Sequence, residues 1–125
     1  MHVISISVRA KTFEDLVVWQ KAHQFVLDCY RLTSGFPKYE IFGLTAQMRR
    51  AAISVPANIA EGFKKRSPAE KLHFYNIAQG SLEESRYYLI LANDLEYAEA
   101  DPERSHLTDV SKLLERYVQT IRAHR

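Results

Sequence analysis

Apolar residues recur at three- and four-residue steps along four stretches of the chain, and each stretch predicts an amphipathic helix. In the first, Leu16, Trp19, His23, Val26 and Tyr30 share one face of a helix expected over roughly 13–32. Thr12 and Asp15 ahead of it resemble a capping box built with the shorter acid. The helix stops in Ser34-Gly35-Phe36-Pro37, where Gly35 is expected as a left-handed cap and Pro37 prevents continuation. In the second, Leu44, Met48, Ala51, Val55, Ile59 and Gly62 or Phe63 trace one face from Gly43 to about Lys65.

Pro56 falls inside that second helix. It lacks the N–H that would bond the carbonyl of Ala52, and its ring presses on the preceding turn, at a cost of about 3 kcal/mol in a generic helix. Small neighbours, among them Ala51, Ala52, Ser54, Ala57, Ala60 and Gly62, let another helix approach closely and offset the missing bond. A kink is the expectation. The competing reading is a break, with Ser54 capping a new helix.

The clearest start signal is Ser67-Pro68-Ala69-Glu70: Ser at the N-cap, Pro at the first helical position and Glu at the third, each suited to the unpaired N–H groups of a helix start. The third helix is expected from there to about Tyr97. Leu72, Tyr75, Leu82, Leu89 and Ala92 form one apolar face, and Phe74, Ile77, Tyr88, Leu91 and Leu95 form another. Asp101-Pro102 repeats the cap-plus-proline start, and Leu107, Val110, Leu114, Tyr117 and Ile121 carry a fourth helix to the C-terminus. Four helices with short connections predict an all-α, up-and-down antiparallel four-helix bundle over 12–125. The second face of helix three predicts a homo-oligomer in which Phe74, Ile77, Tyr88, Leu91 and Leu95 meet another copy. The alternative is that a wide stripe reflects a central position in the monomer. Ahead of the bundle, Ile4, Ile6 and Val8 alternate with Ser5, Ser7 and Arg9. With no partner strand in sight, residues 1–11 are expected as a flexible extension or an arm on a neighbouring subunit.

Composition narrows the function classes. At 125 residues, 46% hydrophobic and 26% charged, the chain has room for one domain, and four Gly with four Pro are too few for a turn-rich β fold. A lone cysteine, Cys29, excludes an intramolecular disulfide. No apolar run approaches the ~18 residues of a membrane span, and the N-terminus lacks the pattern of a signal peptide, so a cytoplasmic location without membrane contact is the expectation. The net charge of +2 is unevenly spread: residues 1–66 carry ten Lys/Arg against five Asp/Glu, and residues 67–125 carry seven against ten.

No phosphate-binding glycine loop and no nucleophile elbow occur, and no catalysis is expected. Glu70 with His73 and Glu103 with His106 have the spacing of di-metal bundles. Both pairs begin helices that run antiparallel, so they stand about 30 Å apart, and neither metal nor cofactor is expected. The remaining chemistry is basic: Arg49 and Arg50 near the start of helix two, Lys64, Lys65 and Arg66 at its end. Arg50 and Lys64 fall within about 40° around the axis and about 21 Å along it, so a single stripe could follow several phosphates of RNA or DNA. Cations at a helix C-terminus also suit the helix dipole with no ligand at all.

Phe13-Glu14-Asp15-Leu16 with Trp19-Gln20-Lys21-Ala22, then Gly43-Leu44-Thr45 with the run Gln47 to Gly62, resemble the bacterial four helix bundle protein family, encoded in intervening sequences of large-subunit ribosomal RNA genes and in stand-alone relatives. Gln79-Gly80-Ser81-Leu82-Glu83-Glu84 matches its third-helix signature, whereas Ser85 and Arg86 stand where many relatives carry an acid and an apolar residue. The resemblance covers about 12–122. It implies a homopentameric ring similar to the accessory variability protein of diversity-generating retroelements, which binds nucleic acid and its reverse transcriptase through a basic surface. Arg49, Arg50, Lys64, Lys65 and Arg66 are the candidates for a like role. A scaffold that binds another protein and no nucleic acid is the alternative.

Overall fold

A computed structural model describes residues 10–124, which form four α-helices: α1 (Val17–Thr33), α2 (Leu44–Lys64), α3 (Pro68–Asp94) and α4 (Asp101–Ala123). Single 3-10 turns at Phe13–Asp15 and Lys38–Glu40 precede α1 and α2. Helices adjacent in sequence pack against one another and α4 closes onto α1, giving the up-and-down antiparallel square. The strand-like alternation of Ile4, Ile6 and Val8 lies outside the described residues.

Each seam of the square is pinned by side chains. Arg49 reaches Thr33 between α2 and α1, Ser81 donates to Ser54 at 2.7 Å between α3 and α2, Arg86 donates to Thr108 at 3.2 Å between α3 and α4, and His106 meets Asp28 at 2.9 Å between α4 and α1. Within the square Phe25, Val55, Ile59, Tyr75, Leu82, Leu89, Leu107 and Leu114 are fully buried. Each such side chain removed from water contributes about 1.5–3 kcal/mol.

Helix one begins later than its apolar pattern suggests. The Asp15 carboxylate accepts the amides of Lys11 (2.9 Å) and Thr12 (3.2 Å), closing a separate turn over Phe13–Asp15. Leu16 is then extended and buried, and α1 starts at Val17. The face turned inward is also different. Val18, Ala22, Phe25, Val26 and Cys29 are buried, whereas Trp19 is half-buried and His23 and Tyr30 are exposed. Small Ala22 and Cys29 let α1 sit close to its neighbours, and the bulkier stripe is left outside.

Gly35 is not a left-handed cap, since no glycine among the described residues has a positive φ. The end of α1 is closed instead by tightened turns, Ser34 N–H to the Tyr30 carbonyl (3.1 Å) and Gly35 N–H to that of Leu32 (3.2 Å), with the Thr33 hydroxyl donating to the Cys29 carbonyl at 2.8 Å. Helix α2 passes through Pro56 without a break, and Ser54 is engaged sideways by Ser81 and by Asn58 Nδ2 at 3.0 Å rather than capping a new start.

Ser67 caps α3 as its sequence signals, accepting the Glu70 amide at 3.1 Å. The far end of α3 stops at Asp94, short of Tyr97. Glu96 adopts φ 62°, and the bonds from Tyr97 N–H to the Ala92 carbonyl (2.9 Å) and from Glu96 N–H to that of Asn93 (3.0 Å) make a Schellman end on a residue other than glycine. Helix α4 has Ala100 at its N-cap, one residue before the expected Asp101, with the Asn93 side chain accepting the Ala100 amide at 3.2 Å.

Candidate nucleic-acid interface

The five candidate cations, Arg49, Arg50 and Lys64 in α2 with Lys65 and Arg66 just past its end, divide into three environments. Arg49, half-buried, donates from Nε to Thr33 Oγ1 at 2.8 Å and lays its guanidinium 4.4 Å from the Tyr30 ring centroid. It serves the α1–α2 seam, where a cation over an aromatic face contributes about 0.5–2 kcal/mol. Arg50 bonds Gln47 Oε1 at 3.0 and 3.3 Å and pairs with Glu84 of α3. Glu84 also accepts the Tyr88 hydroxyl at 2.6 Å. That hydroxyl first, and Arg50 second, hold the Glu84 carboxyl below its ordinary range, so it stays ionised and offsets the arginine.

At the other end of α2, Lys65 places its ammonium 5.2 Å from the Phe74 ring, and Lys64 and Arg66 are exposed with no salt bridge among the described residues. Lys71, which sequence reasoning passed over, supports this end. It donates to the carbonyls of Phe63 (2.7 Å) and Gly62 (3.3 Å) in the last turn of α2, where Gly62 also accepts the Lys65 amide at 3.2 Å. Burial lowers its pKa. Its signal was the position one turn into a helix that folds directly back on α2. The geometry thus brings Lys64, Lys65 and Arg66 together and places Arg49 and Arg50 about 21 Å away, committed to neighbours.

The second face of α3 is covered unevenly. Tyr88 and Leu91 are half-buried against the core, Phe74 lies half-buried under Lys65, and Ile77 and Leu95 are exposed. A second apolar surface, not expected from the sequence, lies between α1 and α2. Phe13, Trp19, His23, Val26, Ile53, Pro56, Ala57 and Ala60 line an open groove of about 360 Å³. Phe13 meets Trp19 edge-on at 5.0 Å and His23 stacks on Trp19 at 5.1 Å. The periodic stripe of Trp19, His23 and Val26 was its signal, read as core.

The histidine-bearing pairs have other partners. Glu70 belongs to the Ser67 cap, and His106 Nδ1 lies against Asp28, whose other oxygen accepts from Gln24 (3.0 Å) and Arg31 (3.3 Å). Among the described residues no group of three or more His, Cys, Asp or Glu is arranged to hold a metal ion. Burial, with the Glu103 and Asp28 charges, pushes the Cys29 thiol up to about 12, leaving it protonated. None of the described helices is long and apolar enough to cross a membrane.

Residues 14–118 match the family described as 23S rRNA-intervening sequence protein. Among solved structures, this chain is similar to a protein with unknown function from the S23 ribosomal protein family of Bacteroides thetaiotaomicron: 26% identity, 82% of this chain and 96% of that one covered, TM-score 0.75. No curated protein matches the sequence. Four helices packed as a square, with most of the chain inside the match, agree in one assignment: this protein belongs to the 23S rRNA-intervening sequence protein family.

Proposed function

We propose that the protein is a homo-oligomeric bundle without catalysis of its own, a ring of five copies as its resemblance implies, that engages RNA or DNA through the cationic end of α2. The observation that carries this reading is the run Lys64, Lys65 and Arg66, three consecutive cations where α2 turns into α3, with Lys64 and Arg66 exposed and unpaired among the described residues. Each cation set against a phosphate releases condensed counterions, and a ring repeats the cluster in every subunit, so weak single contacts add as avidity. Arg49 and Arg50 hold α2 to its neighbours and orient the helix that presents the cluster.

The test is retention of structured RNA across a salt series. Binding weakens steeply with salt, and Lys64→Gln with Arg66→Gln lowers the slope of log K against log salt by about 0.9 for each duplex phosphate that is no longer neutralised. Arg50→Gln leaves the slope nearly unchanged. Salt-independent binding, or no retention at low salt, contradicts the reading. Neutralisation of Arg50 by Glu84 favours a second reading, a scaffold that contacts protein and not nucleic acid. Under it no RNA is retained and a defined polypeptide co-purifies.

A further inference from the structure

Charge divides along the bundle axis. Gly62 of α2 packs on the Tyr75 ring of α3, and Tyr75 meets Tyr117 of α4 at 5.3 Å, so the three residues mark one layer across the bundle. Beyond that layer, toward the α2–α3 turn, these helices and the turn carry five cations, Lys64, Lys65, Arg66, Lys71 and Arg122, against one acid, Glu70. Glu70 is engaged at the α3 cap, where it accepts the Ser67 hydroxyl at 3.1 Å. On the α1 side Lys11 is balanced by Glu14 and Asp15, so the positive surplus sits over the α2–α3 turn and the end of α4.

The opposite end is acidic. The α3–α4 connection and its flanks hold Asp94, Glu96, Glu99, Asp101 and Glu103, with no Lys or Arg from residue 87 to 103. Three arginines nearer this end are already paired: Arg31 with Asp28, Arg50 with Glu84 and Arg86 with Glu83. Arg122 is not. It stands exposed in the last turn of α4, five residues or about 7 Å past Tyr117, in no salt bridge among the described residues. Lys64 lies two residues past Gly62 and Ser67 eight before Tyr75, so the cationic turn spans about 3–12 Å beyond the same layer. Cluster and Arg122 therefore stand at one depth, on helices that both pack against α3.

We infer that Arg122 is a further phosphate contact and that the bundle stands end-on against the nucleic acid, with Lys64, Arg66 and Arg122 toward the phosphates and the acidic α3–α4 connection away from them. The inference rests on the proposed function and adds to it a residue and an orientation. A polyanion attracts one end of such a molecule and repels the other, so the axis is aligned before contact. An anionic lipid surface fits less well, because holding a protein there takes buried apolar area beside the cations. The exposed Ile41 and Phe42 stand at the acidic end instead, in a loop braced by Glu40, which accepts the Leu44 amide (3.0 Å) and the Tyr97 hydroxyl (2.7 Å).

The experiment titrates an RNA hairpin with the full chain across a salt series, for the wild type, for Arg122→Gln, for Lys64→Gln with Arg66→Gln, and for Lys38→Gln at the acidic end. All four substituted side chains are exposed, and far-UV circular dichroism checks that the helices persist. Arg122→Gln lowers the slope of log K against log salt by about 0.9 for the duplex phosphate it no longer neutralises, and Lys38→Gln leaves it unchanged. Lysine acetylation of the bound against the free protein reads the orientation: RNA shields Lys64 and leaves Lys38 and Lys112 reactive. If the Lys64 and Arg66 variant changes the slope and Arg122→Gln does not, Arg122 serves the α4 dipole only, and the inference falls while the proposed function stands. Shielding of Lys38 or Lys112 likewise overturns the end-on orientation. A wild type that retains no RNA, or that binds phosphatidylserine vesicles in its place, overturns both.

Discussion

Gly62 of α2 and Tyr75 of α3 touch so closely that a Cβ on the glycine would stand 2.6 Å from Tyr75 Cε1 and 3.1 Å from Phe74 Cβ. Tyr75 is fully buried and packs on Tyr117 at 5.3 Å, so its ring has nowhere to retreat. Gly62→Ala is therefore expected to destabilise the fold by about 1–3 kcal/mol despite alanine's better helix propensity. Urea unfolding checks this, and an unchanged or raised midpoint contradicts the packing described.

Glu96 holds a left-handed conformation that costs a non-glycine residue about 1 kcal/mol. Glu96→Gly relieves that strain and makes the unfolded chain more flexible, and the difference is an expected gain of a few tenths to about 1 kcal/mol. Glu96→Val, β-branched at the same position, is expected to lose stability. Thermal midpoints of the two variants should lie on opposite sides of the parent.

The Glu40 carboxyl is held below the ordinary glutamate range, first by the Leu44 amide and then by the Tyr97 hydroxyl. Because its folded pKa is depressed, its contribution is complete above the unfolded value and is lost as pH falls through that value toward the folded one. Glu84 and Asp15 shift in the same direction. Glu40→Gln should be less stable than the parent at neutral pH, with the gap narrowing in acid below about pH 4.5. A gap that widens in acid contradicts the bracing role given to Glu40.

Cys29 is fully buried with its thiol pushed up to about 12 from an ordinary 9.0. At pH 8 the thiolate fraction is lower by roughly a thousandfold than for a free thiol. Labelling by an aromatic disulfide reagent should therefore be negligible in the native protein and rapid in urea. Fast native labelling would place Cys29 outside the core.

Helix number, order and most ends were legible because they depend on neighbours in sequence: Ser67, Pro68 and Glu70 lie within one turn and do what that spacing requires. The end of α3 was not, because glutamate in a left-handed conformation carries no residue signature, and the tertiary packing around Asn93 and Tyr97 imposes it. On α1 two stripes compete at helical spacing, and volume decides: Ala22, Phe25 and Cys29 fit the crowded interior while Trp19 and His23 form a groove wall. The basic pair at the start of α2 was legible as charge but not as engaged charge. Thr33 lies 16 residues from Arg49 and Glu84 lies 34 from Arg50, so their partners appear only once the helices pack.

Assembly is the claim on which the pooled cationic surface stands. Sedimentation of the full chain at micromolar concentration tests it most directly. The expected result is a discrete species several times 14.5 kDa, five subunits if the ring is that of the relatives it resembles; a single boundary at 14.5 kDa would contradict the account.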